Sequence, residues 1–105
     1  MSKFAAAFLV CVIVLGSPVL GEAGKDVFAA NCIPCHGPDG KARTPAGRKL
    51  GAKDLTQSKL SDEEIRKQVN EGHKDQRGVV MPAFKDVLKS DQIDAVVVYV
   101  KSLRK

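Results

Sequence analysis

The sequence predicts a single, mostly α-helical domain, and three observations carry that expectation. Ile93, Val96, Val97, Val100 and Leu103 recur at helical spacing in the C-terminal stretch. Ser61-Asp62-Glu63-Glu64 has the form of a capping box, in which a hydroxyl and a carboxylate satisfy free backbone donors at a helix start. The one strand-like run, Val96-Val97-Val98-Tyr99-Val100, has no second run to pair with. It also sits between an N-terminal Ser90-Asp91 and a C-terminal Lys101, Arg104 and Lys105, charges that suit the two ends of a helix.

Taken in chain order, residues 1–21 read as an export signal. Lys3 gives a positive start, residues 4–15 form an uncharged apolar run, and Gly16, Ser17 and Pro18 break it before small residues suited to cleavage. That run of 12 residues is short of the roughly 20 needed to span a bilayer. Cleavage falls after residue 21, or after 23. The remaining domain, 22–105, belongs outside the cytoplasmic membrane, in a periplasm or an equivalent exported space. Val10, which is not small, precedes Cys11, so a lipid anchor there is disfavoured. Removing the leader leaves Cys32 and Cys35 as the only thiols.

Residues 24–31 read as a short helix with Val27 and Phe28 on its apolar side. Residues 37–51 are rich in Gly, Pro and basic side chains without periodicity, and read as loop. The Ser61-capped helix carries Ile65 and Val69 inward and ends near Gly72. Residues 83–88 supply one or two turns, and Ser90 caps the last helix.

Chemistry concentrates in Cys32-Ile33-Pro34-Cys35-His36. Two thiols three residues apart followed at once by an imidazole form the C-x-x-C-H signature of covalent haem attachment. The thiols can add to two vinyl groups, and the histidine can then take an axial position on iron. Two bland readings compete. A tetrahedral zinc site needs about four ligands, and outside the motif only Cys11 and His73 offer sulfur or imidazole. A redox-active C-x-x-C of thioredoxin type belongs on a strand–helix scaffold, which the helical downstream sequence does not supply.

Met81, in Met81-Pro82-Ala83-Phe84, is the only methionine outside the leader. A thioether is a soft iron ligand that raises the potential. The 45 residues separating it from His36 give chain enough to reach round a haem edge. Core packing is the bland fate of a methionine. His73 is the competing sixth ligand, but its neighbours Gly72, Lys74 and Asp75 suit an exposed histidine.

With these residues in view the chain resembles the small monohaem class I cytochromes c of bacterial and photosynthetic electron transport. The likeness rests on Gly24 and Phe28, Cys32-Ile33-Pro34-Cys35-His36-Gly37, Met81-Pro82-Ala83-Phe84 and Tyr99, and spans residues 24–104. It implies the cytochrome c fold, with three to five short helices wrapped around one covalent haem c. In that fold the first and last helices cross, here bringing Gly24 and Phe28 to the Tyr99 helix. It also implies His36 and Met81 as axial ligands and a proline carbonyl, at Pro45, supporting the imidazole. The chain has no tryptophan to help hold the propionates, and Arg43 and Arg48 are candidate partners for them.

The formal charge of +5 falls to +4 without Lys3, the one charged residue of segment 1–21. Such moderate basicity suits acidic redox partner proteins. Lys41, Arg43, Arg48, Lys49, Lys74, Arg77 and Lys85 fall in the loops expected to frame the haem. No basic stretch is interleaved with aromatics, which disfavours nucleic acid. The function expected is therefore a monomeric, soluble, exported electron carrier and not an enzyme. The alternative is a gas sensor or enzyme with an open or labile sixth position, for which no distal acid or base is evident. A two-haem peroxidase is excluded by the single motif.

Overall fold

The computed structural model describes residues 20–105. The expected export segment, apart from its last two residues, and Cys11 lie outside the described residues. Among the described residues five helices dominate: α1 (Leu20–Asn31), α2 (Ile33–His36), α3 (Pro45–Leu50), α4 (Asp62–Glu71) and α5 (Ser90–Ser102). A 3₁₀ turn spans Leu55–Gln57, and β1 (His73–Asp75) pairs antiparallel with β2 (Gly78–Met81).

Helices α1 and α5 cross, as the resemblance implied. Gly24 is buried at the crossing, where a Cβ would collide with the Ala95 carbonyl and the Tyr99 Cβ. One turn on, the Phe28 and Tyr99 rings meet with centroids 5.2 Å apart and planes tilted by 56°, within the favoured range for aromatic pairs. Phe28 is 1% exposed and anchors a core with Ile65, Val69, Ile93, Val96, Val97 and Val100. The helical spacing of the C-terminal residues thus becomes one buried face. Packed against this core are Cys32, Ile33, Met81 and Phe84, so the motif and the methionine share one apolar centre.

Four local expectations are corrected. Helix α1 is already formed at Leu20, the first described residue, ahead of the start expected at residue 24. Residues 37–51 are not all loop, because Pro45–Leu50 is helical. There the Thr44 hydroxyl accepts a hydrogen bond from Gly47 N at 2.9 Å, Pro45 stands where its missing N–H is harmless, and Gly51 closes the helix at φ 72°. The final helix is capped by Lys89 rather than by Ser90, with Lys89 N donating to the Gln92 side chain at 2.8 Å. The β1–β2 ribbon was not expected at all. Its strands are too short to show a period, and its tip turns at Gly78, φ 106°.

The capping box is as expected: Glu64 N donates to Ser61 Oγ at 3.1 Å, and Ser61 N donates to Glu64 Oε1 at 2.8 Å. Helix α4 ends at Gly72, and residues 84–88 form a turn closed by Leu88 N on Phe84 O at 2.8 Å.

Candidate haem site

Cys32 sits at the corner between α1 and α2. Its N–H continues the first helix by donating to Phe28 O at 2.7 Å, while its carbonyl accepts from His36 N at 2.8 Å. Residues three apart on a helical turn lie on one face, which puts Cys32 and Cys35 side by side. Both are half-buried and neither is in a disulfide. Burial, helped by the neighbouring Cys35 charge, pushes the Cys32 thiol up to about 11. A redox-active C-x-x-C depends on a lowered thiol pKa, so this environment counts against the thiol–disulfide reading.

His36 is half-buried, and its Nδ1 lies 3.0 Å from the Lys53 carbonyl. A carbonyl oxygen can only accept, so Nδ1 carries the proton and Nε2 keeps the lone pair a metal requires. Burial lowers the His36 pKa, against a smaller opposing effect from the Lys53 hydrogen bond, and this favours the neutral imidazole. The partner is a correction: the Pro45 carbonyl was expected here, and Pro45 instead opens α3. A carbonyl partner has no side-chain signature, so Lys53 could not be read from the sequence.

Helix α3 is fastened to the motif from outside. Thr44 Oγ1 lies 2.7 Å from the Pro34 carbonyl and 3.1 Å from that of Cys35. Gly47 is buried so closely against the Cys35 carbonyl that a Cβ there would collide with it. The single hydrogen of glycine is what permits this approach.

Met81 ends β2 and is half-buried against the core. It is held from both sides of the chain. Before it, the ribbon places its Cα opposite that of His73. After it, Phe84 N donates to Val69 O at 2.9 Å and Lys85 N to Asn70 O at 3.3 Å, pinning the chain to the end of α4. Gly72, φ 71°, passes so close beneath Met81-Pro82-Ala83 that a Cβ would strike their backbone. His73 is exposed, as its polar neighbours suggested.

Arg43, Arg48, Lys49, Lys74, Arg77 and Lys85 are all exposed. Arg48 and Lys49 stand in the last turn of α3. Arg43 lies near Asp54, whose carboxyl is held below its ordinary range chiefly by the Thr56 hydroxyl, with Lys41 and Arg43 adding smaller effects.

Residues 20–100 match the family described as cytochrome c oxidase, cbb3-type, subunit III. The chain belongs to this cytochrome c family. Among its relatives, cytochrome c6 of Bryopsis maxima is 39% identical over an alignment of 82 residues that covers 75% of this chain and 86% of that protein. The cbb3-type cytochrome c oxidase subunit FixP of Azorhizobium caulinodans is 34% identical over 84% of this chain, but the match takes in only 29% of FixP. Among solved structures, the KustC0563 c-type cytochrome superposes with a TM-score of 0.69 at 34% identity, covering 78% of this chain and 98% of that one. The cytochrome is thus a small monohaem class I protein with one covalently bound haem c. Its donor set fits the group, with two unpaired thiols on one helical face and a neutral imidazole whose Nε2 is free to bind.

Proposed function

We propose that this cytochrome is an exported one-electron carrier in which Cys32 and Cys35 would bind the haem covalently and His36 Nε2 and Met81 Sδ would be the iron's protein donors. The observation that carries the proposal is that Cys32 and Ile33, of the motif that ends in the tautomer-locked His36, pack against the same apolar core as the one methionine outside segment 1–21. Haem iron between its ferrous and ferric states would supply the electron. The rest of the work falls to the chain. Lys53 orients the imidazole, and helices α1 and α5 exclude water from the core behind the motif. The ribbon and the Phe84–Val69 bond restrain the thioether in both oxidation states. Small rearrangement on electron transfer follows from such restraint, and no general base or nucleophile is needed. Arg43 and Arg48 are proposed propionate partners, and the exposed basic side chains a surface for acidic redox proteins. Among the described residues no helix is long and apolar enough to cross a membrane.

Spectra of the reduced and oxidised holoprotein test the assignment. The oxidised form should show the weak sulfur-to-iron band at the red end of the visible range. Met81→Ala should abolish it, lower the potential and admit carbon monoxide to the reduced iron. If Met81→Ala changes nothing while His73→Ala removes the sixth ligand, the ligand assignment is wrong.

A further inference from the structure

The tip of the β1–β2 ribbon makes a contact that neither the haem motif nor the methionine explains. Arg77 Nη1 donates to the Lys49 carbonyl at 3.0 Å and Nη2 to the Leu50 carbonyl at 3.1 Å. These are carbonyls in the last turn of α3, where a helix leaves acceptors unsatisfied and its dipole favours a cation. Asp75 holds the guanidinium in place. Its carboxylate accepts from Arg77 N at 2.8 Å, from Nε at 3.1 Å and from Nη2 at 2.5 Å. That arrangement keeps the Asp75 carboxyl below its ordinary range, chiefly through the Arg77 side chain.

An exposed ion pair by itself stabilises little, and the Arg77 side chain is 53% exposed. What sets this one apart is its span. The bonds to Lys49 and Leu50 join residues 28 and 27 positions apart. On one side lies α3, fastened to the motif through Thr44 and through Gly47 against the Cys35 carbonyl. On the other lies the ribbon, which ends at Met81. A continuous set of contacts therefore runs from the Cys35–His36 segment through α3 and Arg77 to the methionine, independent of any bound group.

We propose that Arg77 is a positioning residue for Met81, its guanidinium clasping the methionine-bearing ribbon to the haem-attachment segment through the Lys49 and Leu50 carbonyls. The proposal rests on the His36–Met81 reading above. Without the clasp the ribbon is free to swing outward about residues 72–73 and 81–82, and the thioether competes less well for iron. A planar fork is required, because two carbonyls and a carboxylate are engaged at once. Lysine offers a point charge and cannot reproduce that geometry.

The test is titration of the oxidised holoprotein with imidazole, which competes with a weakly held thioether, alongside the red-end band and the far-ultraviolet circular dichroism on heating. Arg77→Ala and Arg77→Lys should each raise imidazole affinity about tenfold, a typical coupling between two sites, and lose the red-end band well below the temperature at which helicity melts. Arg66→Ala breaks a comparable exposed pair, Arg66–Asp94 at 2.9 Å between α4 and α5, and should leave imidazole affinity unchanged. Wild-type imidazole affinity in Arg77→Ala overturns the clasp. So does full rescue by Arg77→Lys, which would reduce it to a simple charge effect, and so does an equal effect from Arg66→Ala. Met81→Ala marks the other failure. If it leaves imidazole affinity unchanged, the methionine is not the ligand and both proposals fall. If it raises affinity strongly and Arg77→Ala does not, the ligand stands and only the clasp falls.

Discussion

At position 24 the absence of a side chain decides how closely the first and last helices approach. A Cβ there meets the Ala95 carbonyl, which is backbone and cannot swing aside, and then Tyr99. Alanine would gain up to about 1 kcal/mol of helix propensity over glycine, while overpacking a close crossing costs about 1–3 kcal/mol. The second effect wins. Gly24→Ala should therefore lower the melting temperature of the holoprotein by several degrees, since about 1 kcal/mol moves a domain of this size by roughly 4–8 °C. A melt equal to or above wild type would show that the crossing has slack. Cys32, Cys35, His36 and Met81 are rare side chains with few alternative uses, so their identities stand out. The Lys53 carbonyl that orients His36 is backbone, common to every residue, and only the folded chain singles it out.

At the scale of the element, α4 is the platform on which the segment after Met81 rests, through the Val69 and Asn70 carbonyls. Its start is fixed by the reciprocal Ser61–Glu64 bonds. Ser61→Ala should destabilise the holoprotein by about 1 kcal/mol, measured by denaturant unfolding. Glu64 adds a pH dependence. Its carboxyl is held below the ordinary range chiefly by the Ser61 backbone N–H, and then by the Ser61 hydroxyl. A depressed folded pKa means the stabilisation is complete above the unfolded pKa, about 4.3, and is lost as pH falls through the lower folded value. Glu64→Gln keeps the reach but not the charge, so its melting temperature should lie below wild type at neutral pH and converge on it in acid. A difference that stays constant with pH would show that charge at Glu64 is irrelevant. Helix α3 and the ribbon show why elements can hide. Pro45 and Gly51 look like breakers in sequence, yet they occupy the two ends where a helix accepts them.

At the scale of the whole fold, the buried apolar set among the described residues is small: one phenylalanine and a handful of aliphatic residues, with Met81, Phe84 and Tyr99 only partly covered. Domains of this length are marginal on their own cores. A group bound at the motif should complete this one and stabilise the folded state by mass action or covalent linkage. Cys32→Ala with Cys35→Ala should yield a largely disordered chain by circular dichroism, and a cooperative native-like melt of that variant would refute the dependence. Charge acts at the same scale. Exposed basic residues occur on α3, the ribbon and the Lys85 turn, and the whole chain is net positive. Screening shortens electrostatic reach to about 8 Å at physiological salt. Stopped-flow transfer to an acidic redox protein should therefore slow as ionic strength rises, and slow again in Lys49→Glu with Lys85→Glu. A flat salt dependence would mean an apolar contact governs the encounter.

The sequence by itself determined the chemistry and the helical frame of this protein. The thiols, the imidazole, the thioether, the capping box and the spacing on α5 are local patterns, and each carries its own physical reason within a few residues. Tertiary structure decided what joins them. The hydrogen bond on His36 Nδ1, the seating of α3 on the motif and the reach of Arg77 to Lys49 and Leu50 link residues 9 to 28 positions apart. Such contacts depend on where backbone carbonyls come to rest after collapse, and a backbone carbonyl looks the same at every position of a sequence.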